Sequence, residues 1–225
     1  MTREDTRNRL FRAAVELIAE QGFAGTTVDA IAERAGVAKG TVFYNFGSKD
    51  GLFAALLDHG IQRLTASLAE AAEVPAEAPA VVRGNASRPP GTAAAPLARL
   101  DAVVLAQLRF FDEYGPFARV LFGEMWRTAW HDAVVRLRQG ALGVYERVLA
   151  DVRADTVAAG ELRADFDTGT AATALFGMVL TVSIERRVLR PDHPLEEVHA
   201  TLVELIHGRV TSQVTNQVTK SVEAG

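Results

Sequence analysis

An all-α fold is what this 225-residue sequence predicts. Three observations carry that expectation. Apolar residues recur at i, i+3, i+4 and i+7 along most of the chain, the period of a helix with one buried stripe. Glycine, proline and capping residues interrupt those stripes where helices start and stop. No stretch of useful length alternates apolar and polar residues as a half-buried strand does.

The first helix is expected over 6–21. Leu10, Ala14, Leu17 and Ile18 share a face, Thr2 and Asp5 fit a capping box, and Gly22 stands where the helix stops. A second is expected over 27–35. Thr26-Thr-Val-Asp29 fits another capping box there, Val28, Ile31, Ala32 and Ala35 form the stripe, and Gly36 ends it. A third, over 38–45, turns Val42 and Phe46 inward before Gly47-Ser48. Ser48 caps a longer helix to about Ala72, with Leu52, Phe53, Leu56, Leu57, Ile61, Leu64 and Leu68 inside.

Residues 75–96 hold five of the eight prolines and little large apolar content, so a flexible loop is expected there. Helical pattern resumes at Leu97. Gly115-Pro116 marks a new start, since proline is tolerated in a first turn. A long helix is expected from near Asp132 to Ala159. An apolar helix follows over 168–188, and a last one over 195–210. The organisation expected is a helix-turn-helix domain at 1–50 and a connecting helix at 51–74. The Pro/Ala-rich loop at 75–96, a helical ligand-binding and dimerisation domain at 97–215 and a frayed tail at 216–225 complete it.

Composition narrows the function. With 48% hydrophobic and 23% charged residues the chain resembles soluble globular domains. A length of 225 residues supplies a core without metal or disulfide. The absence of cysteine excludes disulfide frameworks, thiolate metal sites and cysteine nucleophiles. A net charge of −4 means that nucleic-acid contact requires a local basic patch. The charged N-terminus lacks the apolar stretch of a signal peptide. The longest apolar run, 171–184, falls short of the ~20 residues of a membrane span. A cytoplasmic protein without membrane contact is expected. The five histidines show no ligand spacing, the Glu204/His207 pair is weak as a metal site, and no catalytic motif appears. No metal, cofactor or catalytic residue is assigned.

Three short helices separated by glycine turns form a helix-turn-helix arrangement. The third is too polar on one side to serve the core alone. Its outward positions offer Lys39, Gly40, Thr41, Phe43, Tyr44 and Asn45. Between Arg34 and Lys49 stand three cations and no acid, a local field suited to a polyanion. Residues 1–60 as a whole carry seven basic against eight acidic residues.

Leu10 to Phe23, Thr26 to Phe46 and the Ser48-Lys-Asp-Gly-Leu-Phe53 run together resemble the DNA-binding domain of the TetR family of transcriptional regulators. The resemblance covers about the first quarter of the chain. It implies a bacterial, all-α homodimer that binds an operator in double-stranded DNA, with a helical domain that takes a small-molecule inducer. A repressor released by that molecule is the expected action. Residue by residue, the resemblance implies that Thr26 and Thr27 offer a hydroxyl or backbone N–H to phosphate. Lys39 and Gly40 approach the groove, Thr41 and Phe43 reach bases, and Tyr44, Asn45 and Lys49 hold phosphates. The chain departs from the family's pattern at Gly51, where glutamate is frequent, and in the length of its 75–96 stretch.

In the larger domain the aromatic residues Phe110, Phe111, Tyr114, Phe117, Phe122, Trp126, Trp130 and Tyr145, joined by Phe176, are the candidates to line a cavity for a largely apolar molecule. As a group such residues also dominate ordinary cores. Arg109, Glu113, Glu124 and Arg127 lie among them as candidate polar anchors. The apolar helix 168–188 needs cover on every side, which a second subunit supplies through a two-fold interface with 195–210. The alternatives are a helical adaptor without DNA activity and a helical enzyme whose first helices are only structural.

Overall fold

The computed structural model describes residues 2–73, 94–123, 130–158 and 165–208, and every described regular element is helical. The small N-terminal unit holds α1 (Arg3–Gly25), α2 (Val28–Ala35) and α3 (Lys39–Phe46). α4 (Lys49–Glu73) leads into the larger unit. That unit comprises α5 (Ala94–Glu113), α6 (Gly115–Gly123), α7 (Trp130–Leu137), α8 (Gly143–Ala158), α9 (Thr168–Leu189) and α10 (Leu195–Ile206).

Local chemistry sets the boundaries. The capping box at Thr2 and Asp5 is formed, with Asp5 N donating to the Thr2 hydroxyl and Thr2 N to the Asp5 carboxylate. Hydrogen bonding to the Asp5 carboxylate from the Thr2 backbone first, and from the Thr2 side chain next, holds the Asp5 carboxyl below its ordinary range. Gly22, at φ 75°, kinks α1 rather than ending it, and the helix runs on to Gly25. α2 is capped by Thr27, whose side chain accepts from Ala30 N. The box expected between Thr26 and Asp29 is therefore not the cap. Thr26 is 1% exposed, and its hydroxyl donates back to the Gly22 carbonyl at the kink. Ser48 does cap α4, accepting from Gly51 N at 2.9 Å. Gly51 is required there, because a Cβ at that position would lie 2.2 Å from the Phe46 carbonyl.

One hydrophobic core runs through both units. Leu10, Leu17, Ile31, Val42, Leu52 and Phe53 fill the N-terminal part, and Leu100, Leu108, Phe111, Leu121, Tyr145 and Phe176 the larger one. α4 joins them. Its Gly60 admits the ring of Phe117 from α6 so closely that a Cβ would sit 2.1 Å from it. Arg63 of α4 hydrogen-bonds the Tyr114 hydroxyl, with its guanidinium 4.2 Å from the ring centroid. Two polar groups are completely buried in the larger core. Tyr145 donates to the Gln107 side-chain oxygen at 2.7 Å, and Gln107 donates to the Phe176 carbonyl at 3.0 Å. This chain ties α5, α8 and α9 together, and leaves both side chains satisfied as burial demands. Burial pushes the Tyr145 hydroxyl far above the ordinary tyrosine range, so it stays a donor.

Three expectations change. The long helix after Asp132 is broken by a π-helical turn over Arg138–Leu142, where Gly140 packs against Thr65 of α4 at a distance that excludes a Cβ. The last helix ends at Ile206, not 210, with Gly208 at φ 69° just beyond it. α9 extends over 22 residues and is long and apolar enough, by length and composition, to cross a membrane. Only 28% of its most apolar window is buried inside the chain. The loop expected at 75–96 lies outside the described residues up to 93, and α5 begins inside it at Ala94. The tail expected at 216–225 also lies outside them.

Candidate nucleic-acid interface

The turn between α2 and α3 is fixed from both sides. Gly36 takes the left-handed conformation, φ 62°, and its N–H caps α2 at the Ala32 and Glu33 carbonyls. Arg9 of α1 donates to the carbonyls of Ala35 and Gly36. Its guanidinium sits 2.7 Å from where a Gly36 Cβ would be, so glycine is required twice over. Val42, completely buried, anchors α3 on that turn, and Phe46 packs on Phe11 at 5.4 Å between ring centroids. With its inner side fixed, α3 presents Lys39, Gly40, Phe43 and Tyr44 outward. Phe43 is 44% exposed and Tyr44 78%. A Cβ on Gly40 would meet nothing within 4 Å, so nothing inside the protein requires glycine there. Thr41 and Asn45 are half-buried beside them.

The cations of this stretch are already engaged. Lys39 pairs with Asp29 at 2.9 Å, both side chains being well exposed. Arg34 pairs with Glu20 at 2.8 Å and reaches Glu16 at 4.0 Å. Hydrogen bonding from Arg34 holds the Glu20 carboxyl below its ordinary range, with the charges of Arg34 and Arg119 adding to it. Lys49 turns inward. Its ammonium donates to the Phe23 and Thr26 carbonyls, both at 2.9 Å, and lies 4.2 Å from the Phe23 ring centroid. A cation on the carbonyls that end a helix is favourable, so Lys49 joins α4 to the end of α1. Asn45 donates to the Thr41 carbonyl at 2.8 Å, and its buried side-chain oxygen has no partner among the described residues.

The positions expected to touch DNA therefore separate. Thr27 at the start of α2 and Lys39, Gly40, Phe43 and Tyr44 on α3 are exposed, with Thr41 half-buried among them. Thr26 is corrected: burial and its bond to Gly22 remove its hydroxyl from any phosphate. Lys49 is held by backbone carbonyls and Asn45 by its own helix, so neither offers its amine or amide outward in this conformation. Residues of α1 that the sequence reading passed over supply positive charge instead. The Arg3 guanidinium lies 5.9 Å from the Tyr44 ring centroid, and that of Arg7 lies 5.0 Å from Phe46. The signal for them was the Arg3, Arg7, Arg9, Arg12 spacing, which places basic residues along the start of α1.

The aromatic candidates of the larger unit form a packed cluster instead of an open pocket. Phe110 contacts Phe111, Tyr114 and Phe117 at ring separations of 5.7, 4.9 and 6.2 Å, and Phe111 meets Phe176 at 6.3 Å. Phe110, Phe111, Phe117, Tyr145 and Phe176 are all buried. Tyr114 is taken by Arg63, and Phe122 is 47% exposed. Trp126 and the side chain of Trp130 lie outside the described residues. Two recesses do occur between α6 and α9. One, of ≈ 180 Å³, lies beside Phe111, Gly115, Arg119, Ser183 and Arg187. The other, of ≈ 280 Å³, lies beside Phe122, Thr181, Val188 and Leu189.

Comparison with known proteins bears on this geometry. Residues 10–56 match the family described as bacterial regulatory proteins, tetR family. The chain is 34% identical over 139 residues to the HTH-type transcriptional regulator BetI of Burkholderia thailandensis, 61% of each protein being covered. It thus spans about three fifths of the length of the curated relatives it matches. Among solved structures, the fatty acid degradation regulator FadR from Bacillus halodurans has a TM-score of 0.69 at 19% identity, over 90% of this chain and 95% of that one. FadR from Bacillus subtilis in complex with stearoyl-CoA has a TM-score of 0.67 at 20% identity, over 88% and 95%. At such identities the likeness to these structures is one of fold.

Proposed function

We propose that the chain, whose residues 10–56 match the tetR family of bacterial regulatory proteins, is a member of that family and a dimeric transcriptional regulator whose α3 enters the major groove of an operator. Regulation of transcription, not catalysis, is the activity inferred. The observation that carries this reading is the outer face of α3. An aromatic residue exposed to 78% costs free energy in water unless something covers it, yet Tyr44 stands beside Phe43, Lys39 and Arg3 on a helix whose inner side is rigidly held. Large apolar surface interleaved with cations suits a duplex, with thymine methyls for the rings and phosphates for the charges. The exposed Lys39–Asp29 pair is worth at most about 1 kcal/mol, so Lys39 exchanges to a phosphate at little cost.

The dimer follows from α9. Thr170, Ala174, Gly177, Thr181 and Val188 lie along one side of that helix at its 3.6-residue period, and a Cβ on Gly177 meets nothing within 4 Å. With Val188 64% and Leu189 70% exposed, this narrow apolar stripe suits close approach of the same stripe from a second copy, with α10 alongside. A small molecule bound in the larger unit would act by favouring one spacing of the two α3 helices over another. Release from DNA is the effect proposed. Selection of bound sequences from random duplex DNA tests the reading. Enrichment of a near-palindrome with half-sites one helical turn apart is expected, and no enrichment over the starting pool would contradict it.

A further inference from the structure

The ≈ 180 Å³ recess between α6 and α9 lies apart from the DNA face and touches the aromatic cluster only through Phe111. At 100° per residue, Ser183, Ile184 and Arg187 lie to one side of the α9 stripe proposed for dimerisation, and Val188, which also lines the recess, belongs to that stripe, so the recess opens at its edge. The floor is apolar: Phe111, Ala118 and Ile184. Two arginines, Arg119 and Arg187, also line it, and the Arg187 guanidinium lies beside Gly115 in the lining. Arg187 is fixed. It donates to the Asp112 carbonyl at 2.6 Å, and its guanidinium occupies the space above Gly115 so closely that a Cβ would lie 2.4 Å from it. The neighbouring Arg186 takes the Asp112 carboxylate at 2.6 Å, so that acid is paired with Arg186. Arg119 is exposed, and its charge is felt by Glu20 of α1.

From this juxtaposition we infer that the recess binds a compact monocarboxylate with an apolar body, the carboxylate between Arg119 and Arg187 and the body on Phe111, Ala118 and Ile184. The volume is several times the ~10–15 Å³ that one water needs on the same measure, so a ligand the size of benzoate serves as the probe. Guanidinium pairs recognise carboxylates through charge-assisted, directional hydrogen bonds. The positive charge of Arg119 is felt at Glu20, which also holds Arg34 of α2. Binding of the anion does not depend on the regulator reading given above.

The test is calorimetric titration of the full chain, without DNA, with benzoate, benzyl alcohol and benzylamine. Saturable binding of one benzoate per chain is expected, at least about tenfold tighter than the alcohol, with no binding of the amine. Arg119→Gln should erase the preference for benzoate over the alcohol and leave the thermal unfolding midpoint unchanged. Arg187 is unsuitable for that purpose because it also holds Asp112. Photolysis with 4-azidobenzoate should label peptides within 111–119 or 183–188. Equal affinity for benzoate and benzyl alcohol overturns the inference, as does labelling outside those segments or no labelling. Failure here leaves the selection of DNA sequences untouched, and failure of that selection leaves this binding standing.

Discussion

Gly40 and Lys49 behave as opposites on the same small domain. Gly40 stands within α3 in open space, so a methyl group there costs the protein nothing and improves helix propensity. Gly40→Ala is expected to raise stability by roughly 0.5–1 kcal/mol in urea unfolding. It should also weaken operator binding, because the backbone can no longer lie against the duplex. Unchanged operator affinity would remove Gly40 from the contact surface. Lys49 shows the reverse. Its ammonium holds two carbonyls at the end of α1, so Lys49→Met should cost roughly 1–3 kcal/mol of stability, and DNA binding should weaken only through the loosened joint. A variant as stable as the parent with a shallower salt dependence of DNA binding would restore Lys49 as a phosphate contact. His59 adds a pH dependence. Its imidazole stacks on Phe11 at 4.9 Å, and burial, with the charges of Arg63 and Arg7 added, holds its pKa below the ordinary 6.5. The folded protein therefore binds this proton less readily than the unfolded chain. The stability His59 contributes is present above pH 6.5 and is lost as pH falls through the depressed value. Urea midpoints from pH 8 to 5 should show this fall, and His59→Gln should flatten it. An equal slope in the variant would place the effect elsewhere.

At the scale of the elements, legibility in the sequence followed the range of the interaction. Stripes such as Leu10–Ile18 and Leu52–Leu68 set α1 and α4, since a helix's own period decides which side is buried. Caps were legible where one residue had one option, as at Thr2 and Ser48. At Thr26-Thr27 either hydroxyl could cap, and the kink at Gly22 decided it by placing a carbonyl under Thr26. The π turn at Arg138–Leu142 left no local signal, because it answers to Gly140 meeting Thr65 of another helix. The charge field of α3 was misjudged for a similar reason. Arg34 and Lys39 looked unopposed in sequence, while Glu20 and Asp29 face them in space. Arg9, which holds the helix-turn-helix turn by two carbonyls, is separated from it by 26 residues and so was invisible to spacing arguments. The aromatic set falls in the larger unit. Its members pack on one another, and the recesses lie instead where α6 and α9 diverge.

Over the whole molecule, α9 joins stability to function. Only 28% of its most apolar window is buried inside the single chain, and its open stripe is assigned to a second copy. Gly177→Arg places a long cation where a Cβ meets nothing in the single chain. The subunit should stay folded by circular dichroism and sediment as a monomer, with operator binding lost. A dimeric variant would move the interface away from this side. The central claim is that two α3 helices, held by one dimer, read one duplex together. Native mass measurement of the complex with a selected operator tests it most directly. Two chains per duplex are expected, with no appreciable complex of one chain, and half-sites about 34–36 Å apart. A stable complex of one chain per duplex, with affinity equal to that for an isolated half-site, would contradict it.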